Sequence, residues 1–158
     1  MTATVEERFA IQDLYAEYCA AIDTARFYDW LDLFAGQCSY RIVPRENFAA
    51  GLPLALVLCE TRDMLRDRVV ALLEANEYGI HTDRHIVSGI RLRERHGDVI
   101  RVEADFAIFQ SDSEGEAKLF AVGEYLDEVV LAAGVARFLS KTAIMDNFCV
   151  PHAISTPI

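Results

Sequence analysis

Several patterns that bind cofactors are missing from this chain of 158 residues. It has no Gly-x-Gly-x-x-Gly and no Gly-x4-Gly-Lys sequence, so no nucleotide-binding loop is predicted. It has no Cys-x-His…Cys-x-x-His pattern and no Cys-x-x-Cys pair, which argues against an iron–sulfur cluster. The nucleophile-elbow sequence of serine hydrolases is absent too. These absences exclude the cofactor classes that a short motif would reveal.

A long apolar run and a basic surface are also lacking. No stretch of about 18 apolar residues is present to span a bilayer, and the net charge of −10 disfavours nucleic acid and anionic lipid as partners. The first residues do not have the basic-then-apolar order of a signal peptide. We therefore expect a cytoplasmic protein whose four cysteines stay reduced.

The composition is apolar for such a chain. Hydrophobic residues make up 53% of it, and the mean hydropathy is +0.15. A well-filled core explains this excess, and so does an apolar surface that a partner subunit covers. Composition alone leaves both explanations open.

The N-terminal part has a helical period. Apolar residues recur at intervals of three and four, at Ile11, Leu14, Tyr15, Tyr18, Cys19 and Ile22. Thr4 followed by Glu7 predicts a capping box that starts this helix. Thr24 is the predicted N-cap of a second helix, which runs from Ala25 to about Phe34 and stops at Gly36.

The next part is mixed. A short strand is predicted at 38–43, ending before Pro44. Residues 44–59 combine turn residues with an apolar run and predict either a short strand or an exposed apolar arm. A third helix is predicted from Thr61 to about Glu77. Its apolar face comprises Leu65, Val69, Leu72 and Leu73.

The second half alternates apolar and polar residues, which predicts four long strands between about His85 and Asp146. Long antiparallel strands twist and curl, and Gly89 and Gly123 predict bulges or bends. The order of elements predicts one α+β domain over 1–158, in which N-terminal helices pack on a strongly curved, mostly antiparallel sheet.

Metal ligation is not predicted. His81 and His85 have the spacing of a helical metal pair, but their segment follows Gly79 and enters a strand, where we expect the rings to go to different places. Two histidines and a carboxylate from separated segments remain an open arrangement for iron. We predict no metal-binding and no cofactor-binding residue in this chain.

Acid–base chemistry inside the fold is the remaining catalytic alternative. Asp23, Tyr40, His85 and Asp146 are its candidates, because a buried carboxylate or imidazole with a shifted pKa is a usable base. Each also has an ordinary structural explanation: a helix cap, a hydrogen bond to a neighbour, or an ion pair with an arginine. We predict no catalytic residue. The alternative is a stand-alone isomerase or dehydratase, or a small-molecule binding module, with Asp23, Tyr40 and His85 in a cavity.

Arginines on the third predicted helix stand out in so acidic a chain. Arg62, Arg66 and Arg68 alternate with Asp63 and Asp67, a pattern typical of a solvated face with pairs along the helix. Arginine is also the preferred cation in interface ion pairs, so an interface role for part of this set is a second interpretation.

Taken together, nearly the whole chain resembles the small (β) subunits of Rieske-type aromatic-ring-hydroxylating dioxygenases. The resemblance is carried by the order and spacing of these pieces: Leu14-Tyr15 with Tyr18, Asp23, Trp30-Leu31-Asp32-Leu33-Phe34, Cys38-Ser39-Tyr40-Arg41-Ile42, Pro44-Arg45-Glu46-Asn47, Met64-Leu65-Arg66-Asp67-Arg68-Val69, Tyr78, Arg84-His85, Gly123-Glu124-Tyr125-Leu126-Asp127, Lys141-Thr142-Ala143-Ile144-Met145-Asp146 and Pro157-Ile158. Gly36-Gln37 departs from the family, where acidic residues often follow the Leu-Phe pair.

The resemblance implies the cone-shaped α+β fold of nuclear transport factor 2 and a non-catalytic role in an α3β3 hexamer. The large α subunit of such a hexamer carries the Rieske [2Fe-2S] cluster and mononuclear Fe(II), and a reductase, with or without a ferredoxin, supplies electrons. The motif at 44–47 resembles oxygenases of aromatic acids such as salicylate, terephthalate or benzoate. Candidate α-subunit contacts are Arg45, Glu46, Asn47, Arg62, Arg66, Arg68 and Arg84.

Overall fold

The structure, a computed structural model, describes residues 3–75, 79–149 and 153–158. The helices are α1 (Val5–Asp23), α2 (Phe27–Asp32), α3 (Arg45–Ala49) and α4 (Arg62–Val70), which continues as a π-helical turn at Ala71–Ala75. The strands are β1 (Phe34–Pro44), β2 (Val57–Cys59), β3 (His81–His96), β4 (Val99–Asp112), β5 (Ala117–Ala132) and β6 (Val135–Met145). Across the described residues, no helix combines the length and apolarity needed to span a bilayer.

The strands form a sheet in the order β2-β1-β6-β5-β4-β3. Four of the pairings are antiparallel, and β1 runs parallel to β6. Helices α1, α2 and α4 lie on the inner face of this curved sheet, and α1 packs against β3 and β6. Helix α3 lies on the other side, where Arg45 pairs with Glu124 and Phe48 contacts Arg41. The predicted α+β class, with N-terminal helices on a mostly antiparallel sheet, is confirmed.

Helix α1 begins and buries itself as its sequence predicts. The Thr4 hydroxyl accepts a hydrogen bond from the Glu7 amide at 3.2 Å, and the Glu7 carboxylate accepts one from the Thr4 amide at 2.9 Å. This capping box satisfies two amides that the helix itself leaves free. The buried stripe contains Ile11, Leu14, Tyr15, Tyr18 and Ile22.

The predicted bounds of the second helix are wrong, whereas the third helix begins after Thr61 as predicted. The Thr24 hydroxyl bonds back to the Ala20 carbonyl at 2.6 Å, so Thr24 ends α1 and does not start α2. Ala25 turns the chain with a φ of 56°, and both Phe34 and Gly36 lie in β1. Helix α4 changes to a π turn after Val70, which leaves Leu73 half exposed; the predicted end, Glu77, lies outside the described residues.

The segment between β1 and α4 combines both predicted alternatives. It contains the short strand β2, which pairs with β1 at the edge of the sheet. It also contains an exposed row of alternate leucines at Leu52, Leu54, Leu56 and Leu58. We call these four residues the leucine row.

The two predicted glycine bends differ in kind. Gly89 has a φ of +59°, and the β3–β4 register shifts between Ser88 and Arg91, so a bulge is present there. Gly123 instead marks a close approach of β5 and β6, because a Cβ at this position would overlap the main-chain oxygen of Ile144. The bulge and the long strands together account for the curvature of the sheet.

Candidate functional site

The inner face of the sheet holds a fully buried ion pair in an aromatic surround. Lys141 Nζ lies 2.9 Å from Asp127 Oδ2, and neither side chain is exposed. The ammonium group lies 3.4 Å from the ring centre of Tyr125 and 4.4 Å from that of Tyr18. The rings of Tyr15 and Phe138 also face it. These contacts are cation–π interactions in a desolvated site.

Asp127 is the acceptor that organises this cluster. Its carboxylate also accepts hydrogen bonds from the Tyr15 hydroxyl and, at 3.2 Å, from the Thr142 amide. Burial raises the pKa of Asp127 and lowers the pKa of Lys141, and the attraction between the two groups opposes both shifts. Because the pair is closed to solvent, its geometry suits holding strands together and gives substrate no access to the amine.

Two of the three predicted cavity residues lie together. Asp23, at the end of α1, accepts a hydrogen bond from His85 Nδ1 at 2.6 Å and from the His85 amide at 3.0 Å. The His85 ring is fully buried, and its Nε2 has no hydrogen-bond partner among the described residues. A carboxylate that orients an imidazole in this way leaves Nε2 as a proton acceptor.

Tyr40, the third of these residues, is bound to the far end of the chain. Its hydroxyl accepts a hydrogen bond from the Ile158 amide at 3.0 Å and lies 3.2 Å from the Ile158 oxygen, to which it donates. Burial raises the pKa of Tyr40 to about 12. Asp146, the fourth candidate, forms an ion pair with Arg45 at 2.7 Å, as its structural explanation predicts.

Metal ligands are not assembled in the described residues, where no three histidine, cysteine, aspartate or glutamate side chains group closely enough to hold an ion. The two histidines of the His-x3-His spacing have different partners. His81 Nδ1 lies 2.7 Å from the Gly79 oxygen, whereas His85 pairs with Asp23.

The predicted interface residues at 45–47 lie at the start of α3. Arg45 forms ion pairs with both Glu124 and Asp146, and so ties α3 to β5 and to the end of β6. Asn47 donates to the Leu54 oxygen at 3.2 Å, and Glu46 is exposed. Contacts within the chain therefore hold Arg45 and Asn47 in place, whereas Glu46 faces solvent.

The arginines of α4 face in different directions. Arg62 donates to the main-chain oxygens of Leu31 and Phe34 at 2.8 and 2.7 Å and so supports the turn before β1. Arg66 is exposed and pairs with Asp63, as predicted for a solvated face. Arg68 reaches inward to the Ile154 oxygen at 3.4 Å.

The outer face of the sheet carries an apolar surface that the sequence reasoning missed. Ile86, Ala107 and Val122 are cross-strand neighbours on β3, β4 and β5, and Phe109 and Leu119 pair in the next row. Apart from half-buried Ala107, these side chains are 37–52% exposed. We call these five residues the outer apolar patch. Arg84, another predicted interface residue, is exposed beside it, opposite Phe109.

A signal for this patch was present in the sequence. Where the sheet has one polar face, apolar residues alternate with polar ones, but 106–109 and 119–122 are continuously apolar. Such a run indicates that both faces of a strand are to be covered.

The other half of the outer face is charged and paired. Arg91 contacts both Glu103 and Asp105, and Arg93 contacts Glu103 at 2.7 Å. These arginines lower the pKa of both carboxyl groups. The outer face therefore divides into a charged half and an apolar half.

Comparison with known proteins first defines the fold. Residues 3–142 match the SnoaL-like domain family. A solved chain from Novosphingobium aromaticivorans, assigned as the β subunit of an aromatic-ring-hydroxylating dioxygenase, superposes with a TM-score of 0.86. It is 35% identical, and the match covers 94% of this chain and 95% of that one.

Curated relatives define the family more narrowly. The small subunit of anthranilate 1,2-dioxygenase from Burkholderia cepacia is 36% identical over 158 residues, covering 100% of this chain and 98% of the relative. Subunit β1 of the terminal oxygenase component of terephthalate 1,2-dioxygenase from Comamonas sp is 30% identical over 143 residues, covering 90% and 93%. The chain belongs to the family of small (β) subunits of aromatic-ring dioxygenases.

Proposed function

We propose that this chain is a non-catalytic, single-domain β subunit whose work is to assemble with, and stabilise, the large α subunit of the terminal oxygenase. The observation that carries the proposal is the contrast between the buried, hydrogen-bonded inner face and the exposed outer apolar patch. An apolar surface of this kind is costly in a monomer and typical of a subunit interface.

The cofactors of the oxygenase belong to the α subunit in this proposal. That subunit holds the Rieske [2Fe-2S] cluster and the mononuclear Fe(II), and a reductase, with or without a ferredoxin, delivers electrons to it. The assembly is α3β3 and cytoplasmic. Its substrate is an aromatic acid, which the names of the anthranilate and terephthalate relatives support.

The contacts to α are proposed at two places. One is the outer apolar patch with Arg84, where a cation at the rim supplies directional contacts beside an apolar centre. The other is the leucine row with the cluster at 45–47, which the Asn47–Leu54 hydrogen bond connects. Of the α4 arginines, Arg66 is the most exposed candidate, whereas Arg62 and Arg68 are largely engaged within the chain.

The experiment is co-purification of variants with a tagged α subunit from the same source. Phe109→Ser with Leu119→Ser is expected to reduce recovery of this chain by tenfold or more, on the order of what losing two buried apolar anchors costs. Tyr28→Ser is the matched control, because Tyr28 is 50% exposed on α2, away from both proposed contacts. Equal recovery of the double variant and the control contradicts the proposed contact.

A second candidate function is isomerase or dehydratase chemistry by the isolated chain. Two observations favour it: Asp23 pairs with His85, and the buried Nε2 of His85 has no hydrogen-bond partner within the described part of the chain. It requires turnover of a carbonyl or hydroxyl substrate by the purified chain that His85→Gln abolishes. Turnover that persists in His85→Gln, or its absence in the wild type, removes this candidate.

A further inference from the structure

A groove lies on the solvent side of α1, where the tip of the β5–β6 hairpin meets the helix. It is open to solvent and has a volume of about 550 Å³. Leu14, Leu33 and Ala136 line it and are buried or partly buried. Phe9 and Val135 also line it, and they are 61% and 48% exposed. We call this feature the α1 groove. An apolar groove that leaves an aromatic ring exposed is suited to a partner.

Three carboxylates border the α1 groove. Glu6, Asp13 and Glu17 line it and are exposed. Their spacings of seven and four residues are close to two turns and one turn of an α-helix, so the three side chains lie in one row. Arg8, the basic residue of α1, follows Glu6 by two residues and therefore faces the opposite side of the helix. The groove thus combines an apolar lining with a negative border.

No described residue neutralises this row. Glu7 of the same helix pairs with Arg95 at 2.8 Å, but the three carboxylates of the row form no ion pair within the described part of the chain. The helix dipole favours Glu6 in the first turn, whereas Asp13 and Glu17 lie beyond its reach. These two residues are one turn apart, and like charges at that spacing destabilise a helix. Cations from another molecule would relieve this repulsion.

The length of the row distinguishes between classes of ligand. Glu6 and Glu17 are separated by about 16 Å along the helix axis. A small amine cannot pair with carboxylates over this distance, whereas a peptide segment with several basic side chains can. A second copy of this chain is a poor occupant, because each copy has a net charge of −10 and the copies repel each other. The charge of the row therefore favours a basic segment of a different protein.

We propose that the α1 groove is a docking site for a segment of the large subunit in which lysine or arginine side chains flank a large apolar side chain. This inference rests on the proposed function and adds a third contact to the two described above. The apolar side chain packs between Phe9 and Val135, and the basic side chains pair with the row of carboxylates. The apolar contact supplies most of the affinity, and the row selects the segment by its charge.

Competition for a limited amount of tagged large subunit tests this proposal. Wild type and one variant are produced together with the large subunit, and mass spectrometry compares their ratio in the complex with their ratio in the lysate. Asp13→Asn with Glu17→Gln is expected to bind about fivefold more weakly than wild type, on the order of the loss of two exposed ion pairs. Phe9→Ser is expected to bind about tenfold more weakly, because an aromatic anchor is lost. Raising the salt concentration is expected to remove the first deficit and to leave the second.

The matched control is Glu74→Gln with Glu114→Gln. It also removes two exposed carboxylates, and neither of them lines the α1 groove. We expect this control to compete as well as wild type, because the proposal depends on the position of the charges and not on the net charge of the chain.

Photo-crosslinking identifies the occupant of the groove. In one variant p-benzoylphenylalanine replaces Phe9, and in another it replaces Ile86 of the outer apolar patch. We expect position 9 to cross-link to the large subunit, within a segment that contains several lysine or arginine residues. Position 86 is the comparison, because the proposed function places it in a separate contact with the same subunit.

The outcomes separate this inference from the proposed function. If wild type binds the large subunit but either groove variant competes as well as wild type does, the groove proposal is overturned and the proposed function stands. Cross-linking of position 9 to a second copy of this chain, or of position 86 alone to the large subunit, overturns it as well. If wild type itself does not bind the large subunit, the proposed function fails and this inference fails with it.

Discussion

The two faces of the same sheet are built on different principles. The inner face buries an ion pair, three tyrosine hydroxyls with hydrogen-bond partners and most of the aromatic rings, and helices α1, α2 and α4 cover it. The outer face leaves apolar side chains of β3, β4 and β5 exposed beside a charged half. The inner face therefore supports the fold of the chain itself, whereas the outer face is suited to a partner.

Among the variants that test the difference between the two faces, we expect the largest loss of stability from a change at Asp127. Asp127→Asn leaves the Lys141 ammonium buried without its counter-ion, which is expected to cost about 3–5 kcal/mol in the free energy of unfolding. Urea denaturation measures it. The double variant Asp127→Leu with Lys141→Met is expected to recover much of the loss, because no unpaired charge remains. A cost below about 1 kcal/mol for Asp127→Asn contradicts the assigned role of the pair.

A methyl group at Gly123 tests how tightly the inner strands approach. Gly123→Ala places a Cβ against the Ile144 main-chain oxygen, a contact that cannot be relieved by a side-chain rotation. We expect a loss of about 3 kcal/mol or more in unfolding free energy. Gly36→Ala is the matched control, because Gly36 is also in a strand but no atom of the residues that the structure describes lies within 4 Å of the added Cβ. Similar stabilities of the two variants contradict the close approach.

Alkaline pH probes the inner face without mutation. Burial raises the pKa of Tyr15, Tyr18, Tyr40 and Tyr125 above the ordinary value of 10.0. Above a pH of about 10 the unfolded chain loses phenol protons that the folded chain keeps. Stability therefore falls as the pH rises above about 10. Absorbance at 295 nm is expected to show these four tyrosines ionising together with unfolding. Gradual ionisation in a folded protein is the contrary result.

The smallest effect is expected on the charged half of the outer face. Arg91→Met removes contacts to Glu103 and Asp105, and ion pairs that are exposed to solvent contribute little to stability. Because the pKa values of the two carboxyl groups are lowered, this contribution is present at neutral pH and is lost as the pH falls through those lowered values. Urea denaturation at pH 7 and pH 3 is expected to show a smaller difference from wild type at the lower pH. A loss of stability as large as that of Asp127→Asn contradicts the claim that the outer ion pairs matter less to the fold than the buried pair does.

From the sequence, the positions of helices and strands could be predicted better than the residues at which they begin and end. Buried residues could be predicted better than the exposed surfaces. Periodicity located α1 and the long strands because a single buried face dictates each pattern. It placed the start of α2 wrongly, because the Thr24 hydroxyl serves α1 and Ala25 adopts a left-handed turn. It also did not pair Lys141 with Asp127, since a contact across two strands depends on register that composition does not reveal.

The candidate site was predicted only in part. The sequence named Asp23 and His85 but not their contact, because it joins the end of α1 to β3 across 62 positions. It also named Tyr40 without its partner Ile158, a residue 118 positions away. Long-range contacts of this kind follow from the assembled fold.

The most direct test of the account is the native mass and iron content of the complex formed when this chain and its large subunit are produced together. We predict a complex with equal numbers of the two chains, in which all of the iron stays with the large chain after dissociation. Recovery of this chain as a separate species under native conditions, or of iron bound to it, contradicts the account.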